Sequence, residues 1–130
     1  MRDKLTCRVL AENNSIAVVG YKPGRISGDI AHLLVGKGYN VVGVNPVYEG
    51  ETPIPLYKTL DDIPHRIDIV DVFRRSEYIY EIIPSVLKMR PNVLWLQLGI
   101  RNDEAVEPVA KAGITVIQDE CIKIEYYNCY

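Results

Sequence analysis

Five short apolar segments alternate with stretches of helical periodicity along this chain. Each segment is nearly continuous in apolar side chains, which is typical of strands buried on both faces of a parallel sheet. The segments span residues 16–19, 40–45, 67–73, 93–98 and 114–117. This alternation predicts an α/β fold, a Rossmann-like, doubly wound parallel sheet of five strands in the order 3-2-1-4-5.

The helices predicted between the strands have recognisable starts. Ser27 is the expected N-cap of the helix after the first strand, and Asn102 that of the helix after the fourth strand. Pro84 falls within the apolar stripe after the third strand, so that helix should be kinked or begin late. Residues 2–12 are predicted to form a leading helix and residues 121–130 a closing one.

The composition is that of one globular domain over residues 1–130. Apolar residues make up 48% and charged residues 25%, and no apolar run reaches the ~20 residues of a membrane span. A formal net charge of -2 gives no basic field for nucleic acid. Residues 1–14 carry charges and lack the apolar core of a signal peptide, so a cytoplasmic protein is expected.

The cysteines and histidines show no metal-ligand spacing. If Cys121 and Cys129 share a helix, their Cα atoms are roughly 12 Å apart, which is too far for a disulfide. Cys7, the third cysteine, lies at the other end of the sequence, and His32 and His65 have no second ligand nearby. Reduced cysteines and no bound metal are therefore expected.

The turn after the first strand has the features of an anion-binding site. Gly20 and Pro23 shape the turn, and the helix that follows offers free backbone N–H groups and the positive end of its dipole. Lys22 and Arg25 add positive charge, and Ser27 adds a hydroxyl group. Lys22 and Arg25 also occupy the second and third glycine positions of G-x-G-x-x-G, so the dinucleotide pattern is incomplete. Ordinary turn chemistry explains the same residues, and the turn alone does not identify a ligand.

Polar and charged residues also follow the other strands, at the carboxyl edge where doubly wound sheets bind ligands. They are Asn45 and Pro46 after the second strand, Arg74 and Arg75 after the third, Gln97, Gly99 and Asn102 after the fourth, and Cys121 and Lys123 after the fifth. Several cations at one rim of a slightly acidic chain favour a ligand with several phosphates. The exit of the second strand has no acid for the ribose hydroxyls of NAD, and no nucleophile is paired with a histidine base.

Five motifs extend this pattern over nearly the whole chain. They are Val-Val-Gly-x-x-Pro-x-Arg-x-Ser at 18–27, Gly-Tyr-x-Val-x-x-Val-Asn-Pro at 38–46, Asp-Val-Phe-Arg-Arg at 71–75, Leu-Trp-Leu-Gln-Leu-Gly at 94–99 and Cys-Ile-Lys-Ile-Glu at 121–125. Together they resemble the small stand-alone CoA-binding proteins, relatives of the CoA-binding domain of the succinyl-CoA synthetase α subunit. Two positions depart from that family: Lys22 replaces a frequent serine, and Tyr126 replaces a frequent histidine.

The resemblance implies a Rossmann-like coenzyme A site. The pyrophosphate would lie at the first turn, the adenosine against the second and third strand exits, and the pantetheine arm along the fourth. Arg74 and Arg75 would be within reach of the 3′-phosphate. The residues expected to contact CoA are Gly20, Tyr21, Lys22, Pro23, Arg25, Ser27, Asn45, Pro46, Phe73, Arg74, Arg75, Gln97, Gly99, Ile100 and Cys121.

The sequence therefore predicts a cytoplasmic, non-catalytic protein that binds CoA or an acyl-CoA, with no nucleic-acid or membrane partner. A homodimer is left open. One alternative is an NADP- or nucleotide-dependent enzyme on the same fold, which would need a proton donor such as Cys121 or Tyr126. The other is a regulatory or interaction protein with a vestigial site, whose contact surface would be the tyrosine-rich segment 126–130.

Overall fold

A parallel sheet of six strands lies at the centre of the computed structural model, which describes residues 4–130. The strands are β1 (Ser15–Val19), β2 (Asn40–Val44), β3 (Leu56–Tyr57), β4 (Ile69–Val72), β5 (Val93–Leu96) and β6 (Thr115–Ile117). Their order across the sheet is β3-β2-β1-β4-β5-β6, and every neighbouring pair is parallel. The chain changes direction across the sheet between β1 and β4, so the switch point of this doubly wound sheet lies there.

Five α-helices cover the two faces of the sheet. They are α1 (Leu5–Glu12), α2 (Ile26–Gly36), α3 (Ile83–Met89), α4 (Asp103–Lys111) and α5 (Ile122–Cys129). A 3₁₀ segment, Ser76–Ile82, precedes α3, and Pro84 stands in the first turn of α3, which confirms the expected late start. None of the helices in residues 4–130 is long and apolar enough to cross a membrane. Residues 2 and 3 of the predicted leading helix lie outside the described residues.

The Rossmann-like α/β class is confirmed, but the predicted strand count and order were wrong. The segment predicted as the third strand contains β4 and pairs with β1, not with β2. The position beside β2 belongs to β3, which pairs with Gly43 and Val44. β3 has two residues in a stretch rich in proline and glycine, too few to show an apolar period.

Two apolar cores hold the sheet between its helical layers. One core joins the sheet to α3 and α4 and contains Val70, Leu94 and Val86. The other joins it to α1, α2 and α5 and contains Trp95 and Ile122. β1 is buried along its whole length, so the turn that follows it is held by packing on both faces.

A disulfide joins Cys7 of α1 to Cys129 of α5, whose Cα atoms are 5.4 Å apart. The expectation of three reduced cysteines was therefore wrong, because the distance argument considered only two cysteines close in sequence. Cys121 is free. α1 and α5 are thus linked covalently on one face of the sheet.

A buried polar cluster stands on the same helix pair. The Glu125 carboxylate of α5 accepts hydrogen bonds from the Thr6 hydroxyl, at 2.6 Å, and from the Lys4 ammonium, at 2.7 Å. Burial alone would raise the pKa of Glu125, but the donors Lys4 and Thr6 lower it overall. Glu125 is thus held in its charged form against α1.

One carboxyl group at the centre of the sheet has no polar partner. Asp71 of β4 lies in register between Val18 and Trp95 and is fully buried. Neither of its carboxyl oxygens has a hydrogen-bond partner within residues 4–130. Burial raises the pKa of Asp71 well above its usual range, which favours the neutral acid.

Candidate functional site

The turn between β1 and α2 emerges at the switch point of the sheet. Gly20 has φ +88°, and a Cβ atom there would lie 2.5 Å from the carbonyl oxygen of Phe73. Phe73 follows β4, and its N–H donates to the carbonyl of Val19. A glycine is therefore needed where the exits of β1 and β4 pack together.

Ser27 shapes this turn from within rather than capping the helix. The structure places Arg25 at the N-cap of α2, so the prediction of Ser27 as N-cap was wrong. The Ser27 hydroxyl is buried, accepts a hydrogen bond from the Lys22 N–H at 3.1 Å and donates one to the Gly20 carbonyl at 3.0 Å. It thereby fixes the path of the backbone between β1 and α2.

Gly28 lets the first turn of α2 pack directly on that loop. A Cβ atom at this position would lie 2.4 Å from the carbonyl oxygen of Lys22. In G-x-G-x-x-G the third glycine permits this close helix packing, and in the longer loop here the role belongs to Gly28. The sequence pattern does not distinguish Gly28, because this residue falls inside the predicted helix.

The start of α2 can hold an anion. The N–H groups of Ile26, Ser27 and Gly28 have no acceptor within the helix, as at every helix start, and they lie at the positive end of its dipole. Lys22 and Arg25 are exposed beside them, and neither forms an ion pair with another residue of 4–130. Backbone donors and unpaired cations together suit a phosphate group.

Tyr21 and Asn45 are tied into the framework of the site. The Tyr21 side chain is fully buried, lies over Gly43 and is hydrogen-bonded through its hydroxyl to His32 Nε2 at 2.6 Å. The Asn45 amide donates to the Tyr21 carbonyl at 2.9 Å, while its oxygen accepts two backbone N–H groups that follow it. Of Tyr21, only the backbone lies at the turn, and Asn45 braces the exits of β1 and β2 against each other.

A cleft of about 560 Å³ opens on one side of the turn. It lies between the exits of β1 and β2, the segment after β3, and the helical segment after β4. Its polar and charged lining includes Asn45, Lys58, Thr59, Arg74, Glu81 and Ser85. This volume is in the range of small-molecule sites.

A second cleft of about 420 Å³ lies between the exits of β4 and β5. Phe73, Arg75, Gly99 and Ile100 line it, and Arg74 lines both clefts. The two clefts therefore meet at Arg74. Of the turn before α2, Gly20 lines the larger cleft, whereas Lys22 and Arg25 line neither cleft.

The two neighbouring arginines differ in their surroundings. The Arg74 guanidinium binds Glu81 at 2.7 Å, and its side chain is 30% exposed. Arg75 binds Glu77 at 3.2 Å and is 76% exposed. Both guanidinium groups lie within 6 Å of the Tyr78 ring, at 5.6 and 5.9 Å. Arg74 is thus the more firmly placed of the two.

The predicted residues after β5 and β6 hold two loops together. The Gln97 side chain is buried and accepts the backbone N–H of Ile122 at 3.2 Å. The Gly99 N–H donates to the Asp119 carboxylate at 2.6 Å. Cys121 lies half-buried at the N-cap of α5. Gln97 therefore positions the start of α5.

Lys58, Thr59, Glu81 and Ser85 line the larger cleft and were not predicted from the sequence. No local motif distinguishes them. Lys58 and Thr59 reach the cleft only because β3 lies beside β2, a pairing that the predicted strand order did not contain. Glu81 lies in the 3₁₀ segment after β4, and Ser85 lies in α3.

Comparisons with known proteins agree with this architecture. A family model described as a CoA binding domain matches residues 14–127. The uncharacterised protein YneT of Bacillus subtilis (strain 168) is 35% identical over 120 residues, which cover 91% of this chain and 89% of that protein. A solved structure from Thermus thermophilus is 34% identical, covers both chains fully and superposes with a TM-score of 0.91. A hypothetical protein from Pyrococcus horikoshii OT3 is 29% identical over 95% of this chain and 89% of its own, with a TM-score of 0.89.

Proposed function

This chain belongs to the CoA-binding domain family, and from that premise we propose that it binds coenzyme A at the carboxyl edge of the sheet without catalysing a reaction. The observation that carries the proposal is the turn before α2. It combines free backbone donors with the unpaired cations Lys22 and Arg25, and the larger cleft adjoins it at Gly20. A long ligand with a pyrophosphate at its middle suits this arrangement.

In this arrangement the pyrophosphate of CoA lies at the start of α2. The adenosine occupies the larger cleft, against Asn45 and Pro46. The pantetheine arm follows the smaller cleft past Gly99 and Ile100. The two ends of CoA then occupy the two recesses that meet at Arg74.

The residues that line the clefts favour binding over catalysis. Among the described residues that line either cleft there is no histidine and no cysteine. His32 is hydrogen-bonded to Tyr21, and the described residues contain no group of three or more acids, histidines or cysteines that could hold a metal ion. A nucleophile–base pair built on histidine or cysteine is therefore absent from the described walls of the clefts.

One observation favours a second candidate, an NAD(P)-dependent enzyme. The exit of β2 has no acid for ribose hydroxyls, but the structure brings Glu81 into the larger cleft from the segment after β4. A carboxylate there can accept those hydroxyls. Its 2.7 Å bond to Arg74 occupies one of its oxygens and partly neutralises it, which weakens this candidate.

Direct comparison of ligands tests the proposal. We expect CoA to bind at least tenfold more tightly than NAD or NADP, a difference of about 1.4 kcal/mol, and to raise the melting temperature most. Dephospho-CoA should fall between them, and the advantage of CoA should shrink as salt rises. If NADP stabilises the protein as much as CoA does, this proposal is refuted and the second candidate, an NAD(P)-dependent enzyme, takes its place.

A matched pair of arginine variants locates the phosphates. Arg25→Ala should weaken CoA binding at least tenfold, because a charge-assisted phosphate contact contributes roughly 1.5–3 kcal/mol. Arg8→Ala removes the same charge from the exposed surface of α1 and should leave binding unchanged. Calorimetric titration gives both affinities, and thermal unfolding checks that both variants fold. Equal affinities in the two variants would place the pyrophosphate away from α2.

A further inference from the structure

Two cations face the larger cleft from different strands, away from the turn before α2. Lys58 directly follows β3, and Arg74 lies just beyond β4. In the sheet β2 and β1 lie between these strands, so the two backbones are three strand spacings, or about 14 Å, apart. Two long cationic side chains directed across that gap can contact one anion between them.

Arg74 is already held in place on its side of the cleft. Its guanidinium binds Glu81 at 2.7 Å and lies 5.6 Å from the centre of the Tyr78 ring. Because a guanidinium has five N–H donors, the bond to Glu81 leaves donors for a second oxyanion. Glu81 orients the Arg74 guanidinium, and the guanidinium in turn screens the Glu81 charge from the bound anion.

Lys58 is free to turn toward the cleft from the opposite side. Its ammonium is 3.9 Å from the Glu49 carboxylate, and the two side chains are 69% and 83% exposed. An exposed pair at that distance contributes little, so breaking it costs little. Lys58 can therefore exchange Glu49 for a ligand anion.

Arg75 is in a different position. It lines the smaller cleft and not the larger one, and it is paired with Glu77. The adjacent arginines therefore do not both face the recess assigned to the adenosine. The second cation of that recess is Lys58, which the strand order places across the cleft from Arg74.

We propose that Lys58 and Arg74 form a subsite for a ribose phosphate monoester in the larger cleft, and that Lys58 determines specificity for it. A phosphate monoester carries nearly two negative charges at pH 7, which matches two cations better than a bare hydroxyl does. In CoA this group is the 3′-phosphate of the adenosine ribose. The inference rests on the proposed function and assigns one of its contacts.

The test compares CoA with dephospho-CoA in wild-type protein, in Lys58→Gln and in the control Lys111→Gln. Lys111 is also an exposed lysine paired with an exposed acid, Glu107, but it lies on α4. We expect Lys58→Gln to weaken CoA binding about tenfold and to leave dephospho-CoA binding unchanged. Lys111→Gln should change neither affinity, and Lys58→Arg should keep the preference for CoA.

The outcomes separate this inference from the proposed function. If wild-type protein binds both ligands and Lys58→Gln leaves their ratio unchanged, the subsite is refuted while CoA binding stands. If wild-type protein binds neither ligand, the proposed function itself is refuted. NADP and NAD form a second pair that differs by a ribose 2′-phosphate. A preference that Lys58→Gln removes only in this second pair would assign the monoester to NADP and refute the assignment to CoA.

Discussion

Replacement of Asp71 by asparagine tests whether a neutral carboxyl group lies at the centre of the sheet. Asp71 is buried between Val18 and Trp95 without a hydrogen-bond partner among the described residues. Burial raises the pKa of its carboxyl group well above 3.8, the value expected in the unfolded chain. The asparagine side chain has nearly the same shape but no proton to lose, so only the wild type should show this source of pH dependence.

The size and sign of the effect follow from proton linkage. Above pH 4 the unfolded chain releases the Asp71 proton while the folded chain retains it, so folding requires proton uptake. Stability conferred by the group is complete below pH 4 and is lost as pH rises toward the folded pKa, by about 1.4 kcal/mol per pH unit. The stability of Asp71→Asn relative to wild type should thus increase with pH above pH 4 until the folded pKa is reached.

Urea unfolding of both proteins across this pH range measures the difference directly, and contributions from all other carboxyl groups cancel. The asparagine amide is also buried without a partner, so the absolute stability of the variant at one pH does not test the assignment. The test is the slope, against pH, of the difference in free energy of unfolding between variant and wild type. Parallel stability curves from pH 4.5 to 6.5 would refute the assignment of a neutral Asp71.

Asp68 provides a control of opposite sign on the same chain segment. Its carboxylate accepts the backbone N–H groups of Asn14 and Ser15 at 3.0 and 3.1 Å. Although burial alone would raise its pKa, these bonds lower it overall. Asp68→Asn should therefore destabilise the protein at pH 7, and this loss should shrink as pH falls below about 4.

Three further predictions concern the framework of the site. Cys129→Ser should lower the free energy of unfolding by about 5 kcal/mol, the chain-entropy value for a sequence separation of 122 residues. A reductant should destabilise the wild type by the same amount and should not destabilise the variant further. Urea unfolding measures both effects, and Cys121→Ser, which removes the free cysteine, is the control. Gly20→Ala should destabilise the fold by more than Gly24→Ala. Both positions have positive φ, so alanine costs about 1–3 kcal/mol in strain at each, but only at Gly20 would the new Cβ atom clash with a backbone atom, the Phe73 carbonyl oxygen at 2.5 Å. Equal losses of melting temperature in the two variants would contradict this. Asn102→Ala should cost about 1 kcal/mol, because its side chain caps α4 by accepting the Ala105 N–H at 3.1 Å, and an unchanged urea midpoint would rule out that role.

Local sequence patterns were sufficient for much of the fold. The apolar segments located five of the six strands, because strands buried on both faces are continuous in apolar residues. Pro84 and Asn102 marked helix starts correctly, since each acts on the backbone beside it. The residues expected after the strands do lie at the carboxyl edge, and whether they contact CoA stays a prediction.

Features that depend on distant pairing were not predictable in the same way. Strand order is set by which strands pack together, and apolar periodicity carries no information about the neighbour. Lys58 and Glu81 line the larger cleft because of that strand order, and Cys7 is bonded to Cys129 because α1 packs on α5. Ser27 matched the N-cap composition, but its hydroxyl bonds to the loop before the helix. These contacts can be known only when the tertiary structure is known.

The disulfide between Cys7 and Cys129 makes the molecule nearly circular. Their sequence separation of 122 residues places the whole sheet and every loop of its carboxyl edge inside one covalent ring. A protease that cuts once between β2 and β3, where Val47 is 80% exposed, would open the ring without dividing it. The two fragments would stay joined by the disulfide until a reductant separated them. Before reduction the nicked protein would resemble a circular permutant, with new termini at the cut and the original terminal helices joined by the disulfide.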